Sequence, residues 1–141
     1  SAILLKKILE RGDQLTTISR RQSSKFNNKE HFYADLSNNK EVKEVCEKLE
    51  KYTFDVFIYF PGLFCPKLII EENYDDIAKN INVNLTSAIL LSIPILKNMR
   101  LGKGGIVIFI GSSSAYSGFK NIYYSRISSI YAAALSMSVK A

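Results

Sequence analysis

A chain of 141 residues with 47% hydrophobic content holds enough apolar material for one core and too little for a second, so a single domain over residues 1–141 is expected. Its 19 basic residues exceed its 13 acidic ones, a formal charge of +6, but the excess is dispersed along the chain, which argues against a nucleic-acid binder. No apolar run reaches the roughly 20 residues needed to cross a bilayer, because the richest stretch, Val56 to Cys65, is broken by Pro61 and Gly62.

In chain order, Leu4, Leu5, Ile8 and Leu9 fall on one helical face, and Gly12 stands where a helix ends in a left-handed turn. Ser1 to Leu5 has neither the basic region nor the small-residue cleavage site of an export signal, so a cytoplasmic location is expected. Gln14 to Ser19 reads as a short β-branched strand, and a polar loop from Arg20 to Lys29 leads to a second strand at His31 to Ala34. His31, the sole histidine, decorates that strand in this reading. Ser37 is an N-cap candidate. From Asn38 to Tyr52, Val42, Val45 and Leu49 recur at helical spacing among charges, which predicts an amphipathic helix lying on a sheet. Cys46 and Cys65 have no metal-type spacing and read as free buried thiols.

Asp55 to Phe60 is nearly all apolar, as expected of a parallel strand covered on both faces, and Pro61 with Gly62 ends it. A long helix is predicted from about Tyr74 to Met99, with Pro94 kinking it or splitting off its last turns. Its stripe of Leu85, Ala88, Ile89 and Ser92 reads as core or as a dimer face. Ile106 to Ile110 is a further buried strand, Gly111 to Ser114 a serine-rich turn, and Tyr123 to Lys140 a last helix. Strand and helix alternate throughout, which predicts a right-handed βαβ stack: an α/β chain with a doubly wound parallel sheet in a three-layer αβα arrangement.

In such sheets ligands bind beyond the carboxyl ends of the strands, so the residues after each strand carry the functional signal. Those residues are Arg20 and Arg21, Asp35 and Leu36, Pro61 and Gly62, and Gly111 with Ser112 to Ser114. Together with Asn82-Val83-Asn84-Leu85 and Tyr123-Tyr124-Ser125, they resemble the short-chain dehydrogenase/reductase family along essentially the whole chain. The resemblance implies a Rossmann-like fold and hydride transfer between a nicotinamide cofactor and a small-molecule carbonyl or secondary alcohol. It implies Ser112 as the carbonyl-polarising residue, Tyr124 as the acid/base, and Asn84 as support for a proton relay. Asn84 also reads as a polar residue that kinks a helix.

Cofactor contacts are expected at Arg20, Arg21, Asp35, Leu36 and Gly62. The arginines after the first strand suit the 2′-phosphate of NADP, with NAD the alternative and an exposed basic loop the plainer reading. Asp35 either contacts adenine or organises the turn before Ser37. Pairing through the long helix and the tyrosine helix into a homo-dimer or tetramer is also implied, with no nucleic acid, membrane or metal involved.

Departures from the family pattern are concentrated at the chemistry. A phenol with a pKa near ~10 needs a neighbouring cation to act near neutral pH, and the family's lysine four residues after the tyrosine is Ser128 here. Tyr59-Phe60-Pro61-Gly62 keeps the family's turn glycine but replaces two asparagines with aromatics, which is expected to remove a polar bracing point. The family's glycine-rich phosphate loop and the strand before it would precede Ser1, leaving a gap in the sheet between the strands at Gln14 and Asp55. A substrate loop would follow Ala141. The implied alternative function is a non-catalytic relative that docks on a partner or senses a nucleotide.

Overall fold

The computed structural model describes residues 2–22, 30–63 and 69–111. Helix α1 (Ala2–Glu10) closes on Gly12, which takes a φ of 80°, a region that only glycine enters without strain. Strands β1 (Thr16–Ser19) and β2 (Glu30–Tyr33) pair in parallel, Thr16 opposite Glu30 and Ser19 opposite Tyr33. Helix α2 (Asn39–Leu49) follows. Its N-cap is Asn38, whose side chain accepts from the Lys40 amide, and not Ser37 as expected. The start is displaced because Asp35 builds a turn first: Ser37 gives its hydroxyl to Asp35, and the Asn38 amide donates to the Asp35 carbonyl.

Strand β3 (Val56–Tyr59) leads through a short 3₁₀ turn (Ile69–Glu71) to helix α3 (Tyr74–Ile81), capped by the Asn73 side chain on the Asp76 amide. A π-helical segment (Asn82–Thr86) separates α3 from helix α4 (Ser87–Leu101), and strand β4 (Ile106–Phe109) then pairs in parallel with β3. The expected long helix is therefore interrupted at residues 82–86 and not at Pro94. Pro94 lies buried inside α4. Proline supplies no N–H to the carbonyl four residues before it, here that of Leu90, and that carbonyl instead accepts the Cys46 thiol of α2 at 3.3 Å. The orphaned acceptor thus has a partner from the neighbouring helix, and the helix runs on.

The core joins α2, α4 and the strands beneath them. Val42, Val45 and Leu49 of α2, at 0%, 1% and 1% exposure, form one cluster with Phe32, Tyr59, Ala88, Leu91, Ile95 and Met99. Helix α2 packs against α4. Of the predicted stripe, Ala88 and Ser92 are buried in this core while Ile89 is 41% exposed.

The described strands form two separate two-stranded parallel sheets, β1–β2 and β3–β4, with no pairing between β1 and β3. This agrees with the expected gap between them. One expectation fails in part: Val56, Ile106, Ile108 and Ile110 are between 39% and 59% exposed, so among the described residues β3 and β4 are covered on one face only. Alternate side chains, Phe57, Tyr59, Val107 and Phe109, belong to or pack on the core cluster, as period-two alternation requires.

Truncating Leu91, 2% exposed, to Ala is expected to cost about 3 kcal/mol in urea unfolding, with Ile89→Ala costing well under half of that. Replacing Cys46 by Ala is expected to lower stability by about 1 kcal/mol, because the Leu90 carbonyl loses its partner. Reintroducing a donor with Cys46→Ser should recover part of the loss in the same assay.

Candidate functional site

The residues that follow β1 and β2 lie side by side because the strands are parallel and in register. Arg20 leaves the end of β1 with its side chain 72% exposed, and its guanidinium stands 3.8 Å from Asp35 Oδ2 beyond β2. Asp35 is more than a docking point for that cation. Its Oδ1 accepts the Ser37 hydroxyl at 2.7 Å and the Ser37 amide at 2.9 Å, while its own amide donates to Glu41 at 2.8 Å. The Ser37 hydroxyl, the Ser37 amide and then Arg20 hold the Asp35 carboxyl below its ordinary range, so it is ionised at neutral pH. Both readings of Asp35 are thus compatible: it organises the turn with one oxygen and presents the other at the rim. Arg21 is exposed, and its carbonyl accepts the Ser19 hydroxyl at 2.7 Å.

Beyond β3, the chain passes through Pro61 and the exposed Gly62 to Leu63. A Cβ at Gly62 would meet nothing within 4 Å, so no steric demand for glycine arises there among the described residues. Leu63 is gripped by Asn84 in both directions: its amide donates to Asn84 Oδ1 at 2.6 Å, and its carbonyl accepts from Asn84 Nδ2 at 2.9 Å. Asn84 sits in the π-helical segment. Its side chain pins the post-β3 loop and, in that position, also marks the break in the helix.

The loop after β2 reaches the same segment. Asn82 Nδ2 donates to the Ser37 carbonyl at 3.2 Å, and Ser87 Oγ lies 3.1 Å from the Leu36 carbonyl. Ser87 is fully buried, and its single hydroxyl hydrogen is also within reach of the Asn82 carbonyl. Tyr59, at the end of β3, donates to the Val83 carbonyl and stands 3.2 Å from Ser87 Oγ. The aromatic at position 59 thus supplies a polar brace of its own, its hydroxyl meeting the π segment directly. Burial pushes the Tyr59 hydroxyl up to about 12, with the Ser87 contact opposing the shift.

The structure brings Arg20, Asp35 and Leu36 onto one rim and ties that rim, through residues 82–87, to Asn84 and the loop containing Gly62. Ser112, Tyr124 and Ser128 lie outside the described residues. The Ile110 amide continues the ladder past β4 on the Tyr59 carbonyl. His31 is a strand residue as expected, its Nδ1 sharing a 2.7 Å hydrogen bond with Thr17 and its Nε2 buried with no partner among the described residues. Among the described residues no cluster of His, Cys, Asp and Glu could hold a metal ion, and no helix is long and apolar enough to cross a membrane.

The family profile described as short chain dehydrogenase matches residues 4–134. The chain belongs to the short-chain dehydrogenase family. Among curated relatives, the 3-oxoacyl-(acyl-carrier-protein) reductase of Buchnera aphidicola is 30% identical over 77 residues, covering 55% of this chain and 31% of that protein. A short-chain dehydrogenase from Leptospira borgpetersenii with bound NAD+ superposes with a TM-score of 0.85 at 22% identity, over 99% of this chain and 58% of that one. One from Sphingobium yanoikuyae in complex with NADPH gives 0.84 at 17% identity, over 97% and 57%. The chain therefore spans less than two thirds of the length of these dehydrogenases, and at these identities the superpositions establish the shared fold.

Sequence reasoning missed Ser87 and misjudged Tyr59. The available signals were a small polar residue at the start of an otherwise apolar helix and a tyrosine closing a buried strand. Because Tyr59 ionises at about 12 in the folded chain and near ~10 when unfolded, its contribution to stability is complete below pH ~10 and is lost as pH rises from there through 12. Absorbance titration of the tyrosines should show a late step near pH 12 that Tyr59→Phe abolishes.

Proposed function

We propose that the chain is the nucleotide-binding portion of an NAD(P)-dependent short-chain dehydrogenase acting on a small carbonyl compound or secondary alcohol. The observation that carries this reading is the convergence of the loops after β2 and β3 on residues 82–87, which makes one continuous rim at the carboxyl ends of the strands. The donor set on that rim fits the adenosine end of a dinucleotide. Asp35 Oδ2 is an ionised acceptor for an adenine amine, the backbone at Leu36 lines the same edge, and Gly62 leaves open space for a ribose or the nicotinamide side.

Arg20 and Arg21 favour NADP over NAD in this reading. A 2′-phosphate would compete with Asp35 for Arg20, and the existing pair is too exposed and too long to resist it strongly. When bound, the cofactor supplies hydride to the carbonyl carbon or takes it from the alcohol. Tyr124 gives the oxygen its proton in reduction or takes it in oxidation, Ser112 polarises the carbonyl, and Asn84, which holds the Leu63 loop, supports the proton relay. Self-association into a dimer or tetramer belongs to the same proposal, supported by exposed Ile89, Ile93 and Leu96 at helical spacing on α4.

One observation favours a second reading, a non-catalytic relative that senses a nucleotide or docks on an active partner. Ser128 stands four residues after Tyr124, where the family pattern has the lysine that would lower the phenol's pKa.

Nicotinamide fluorescence on titration with NADPH and NADH tests the binding. Tighter binding of NADPH is expected, with Arg20→Ala weakening NADPH about tenfold or more and leaving NADH nearly unchanged. Failure of the folded chain to bind either nucleotide would remove the dinucleotide reading. Turnover raised by Ser128→Lys would support the enzyme over the sensor, and binding without any gain in turnover would support the sensor.

A further inference from the structure

Two hydroxyls occupy the point where the rim is joined. Tyr59 is 2% exposed and Ser87 fully buried, and between them they contact the Leu36, Asn82 and Val83 carbonyls and each other. The contacts of Tyr59 with Val83 and Ser87, and of Ser87 with Leu36, span 24 to 51 residues of sequence and link three separate pieces of chain: the loop after β2, the end of β3 and the π segment. The π segment in turn carries Asn84, whose amide holds Leu63 from both sides.

A π-helical turn shifts the backbone hydrogen bonds out of their α-helical ladder, so carbonyls there depend on partners outside it. The Ser87 amide already reaches the Asn82 carbonyl, five residues back. The two hydroxyls sit on that carbonyl and on the next one. Removing the Tyr59 hydroxyl would take a donor from the Val83 carbonyl, and removing the Ser87 hydroxyl would release the Leu36 carbonyl from the segment; either change allows the segment to relax toward the α-helical ladder, rotating Asn84 away from Leu63.

Resting on the nucleotide-binding reading for its purpose, we infer that Tyr59 and Ser87 form a hydroxyl latch that positions Asn84 and couples the adenine-side loop at Leu36 to the loop at Leu63. Tyr59 and Ser87 are positioning residues: they touch the backbone of the rim, not the nucleotide. Occupation of the Asp35–Leu36 edge by an adenine nucleotide steadies the Leu36 carbonyl, and the latch passes that order to the Asn84–Leu63 clamp.

Amide hydrogen exchange at Leu63, measured without ligand, tests the latch independently of nucleotide binding. Tyr59→Phe should speed Leu63 exchange about tenfold in the otherwise unchanged chain. In an Asn84→Ala background it should have no further effect, since coupled groups are non-additive. An unchanged rate in the first background, or an equal acceleration in both, overturns the inference; should Tyr59→Phe prevent folding, Ser87→Ala makes the same comparison. A second arm uses 2′,5′-ADP as the probe. Its binding should slow Leu63 exchange in the unchanged chain and leave it unaffected in Ser87→Ala, and equal slowing in both would overturn the coupling. If 2′,5′-ADP does not bind at all, the nucleotide reading fails while the first arm still decides the latch.

Discussion

The seam between α2 and α4 is the contact on which the rest of the described structure depends. The strands supply two short parallel ladders of four residues each, and no backbone hydrogen bond joins one ladder to the other. Helix α2 packs against α4, which contacts β3, and one cluster joins Val42, Val45 and Leu49 of α2 with Phe32 of β2, Tyr59 of β3 and Leu91, Ile95 and Met99 of α4, uniting the halves. Apolar burial is non-directional and would permit sliding along the seam. Polar cross-links restrain it: Cys46 to the Leu90 carbonyl, and Asn98 Nδ2 to the carbonyls of Glu50 and Tyr52 at 3.0 and 2.7 Å.

With the seam in place, the carboxyl ends of both ladders are carried to one rim. The π segment at residues 82–86 is the natural junction, because it begins α4 and its irregular backbone offers carbonyls to side chains from both halves. Asn82 and Ser87 reach the loop after β2; Asn84 holds the loop after β3, and Tyr59 reaches the segment from the end of that strand. The geometry of the rim is thus set by the side chains beneath it, while Arg20 and Asp35 are held more loosely at its exposed edge.

Proline and tyrosine each show how one local rule is modified by a neighbour. Pro94 should weaken a helix, yet its unpaired acceptor lies beside a thiol from α2 and its ring is buried. Tyr59 closes a buried strand with a phenol whose hydroxyl reaches the Val83 carbonyl, and only the position of the π segment reveals what that side chain does.

By itself the sequence determined the alternation of strand and helix, the buried face of α2, the stop at Pro61 and Gly62, and membership of the short-chain dehydrogenase family. Those features are legible because they rest on periodicity and on residues adjacent in sequence: Val42, Val45 and Leu49 mark a helical face wherever the helix packs. Tertiary structure alone decided the π break at residues 82–86, the continuity of α4 through Pro94, the half-exposed face of β3–β4 among the described residues and the bracing by Tyr59 and Ser87. Each of these depends on groups brought together from dozens of residues apart, as Leu36 and Ser87 are across 51 positions, and no local pattern records which distant carbonyl will be left without its helical partner.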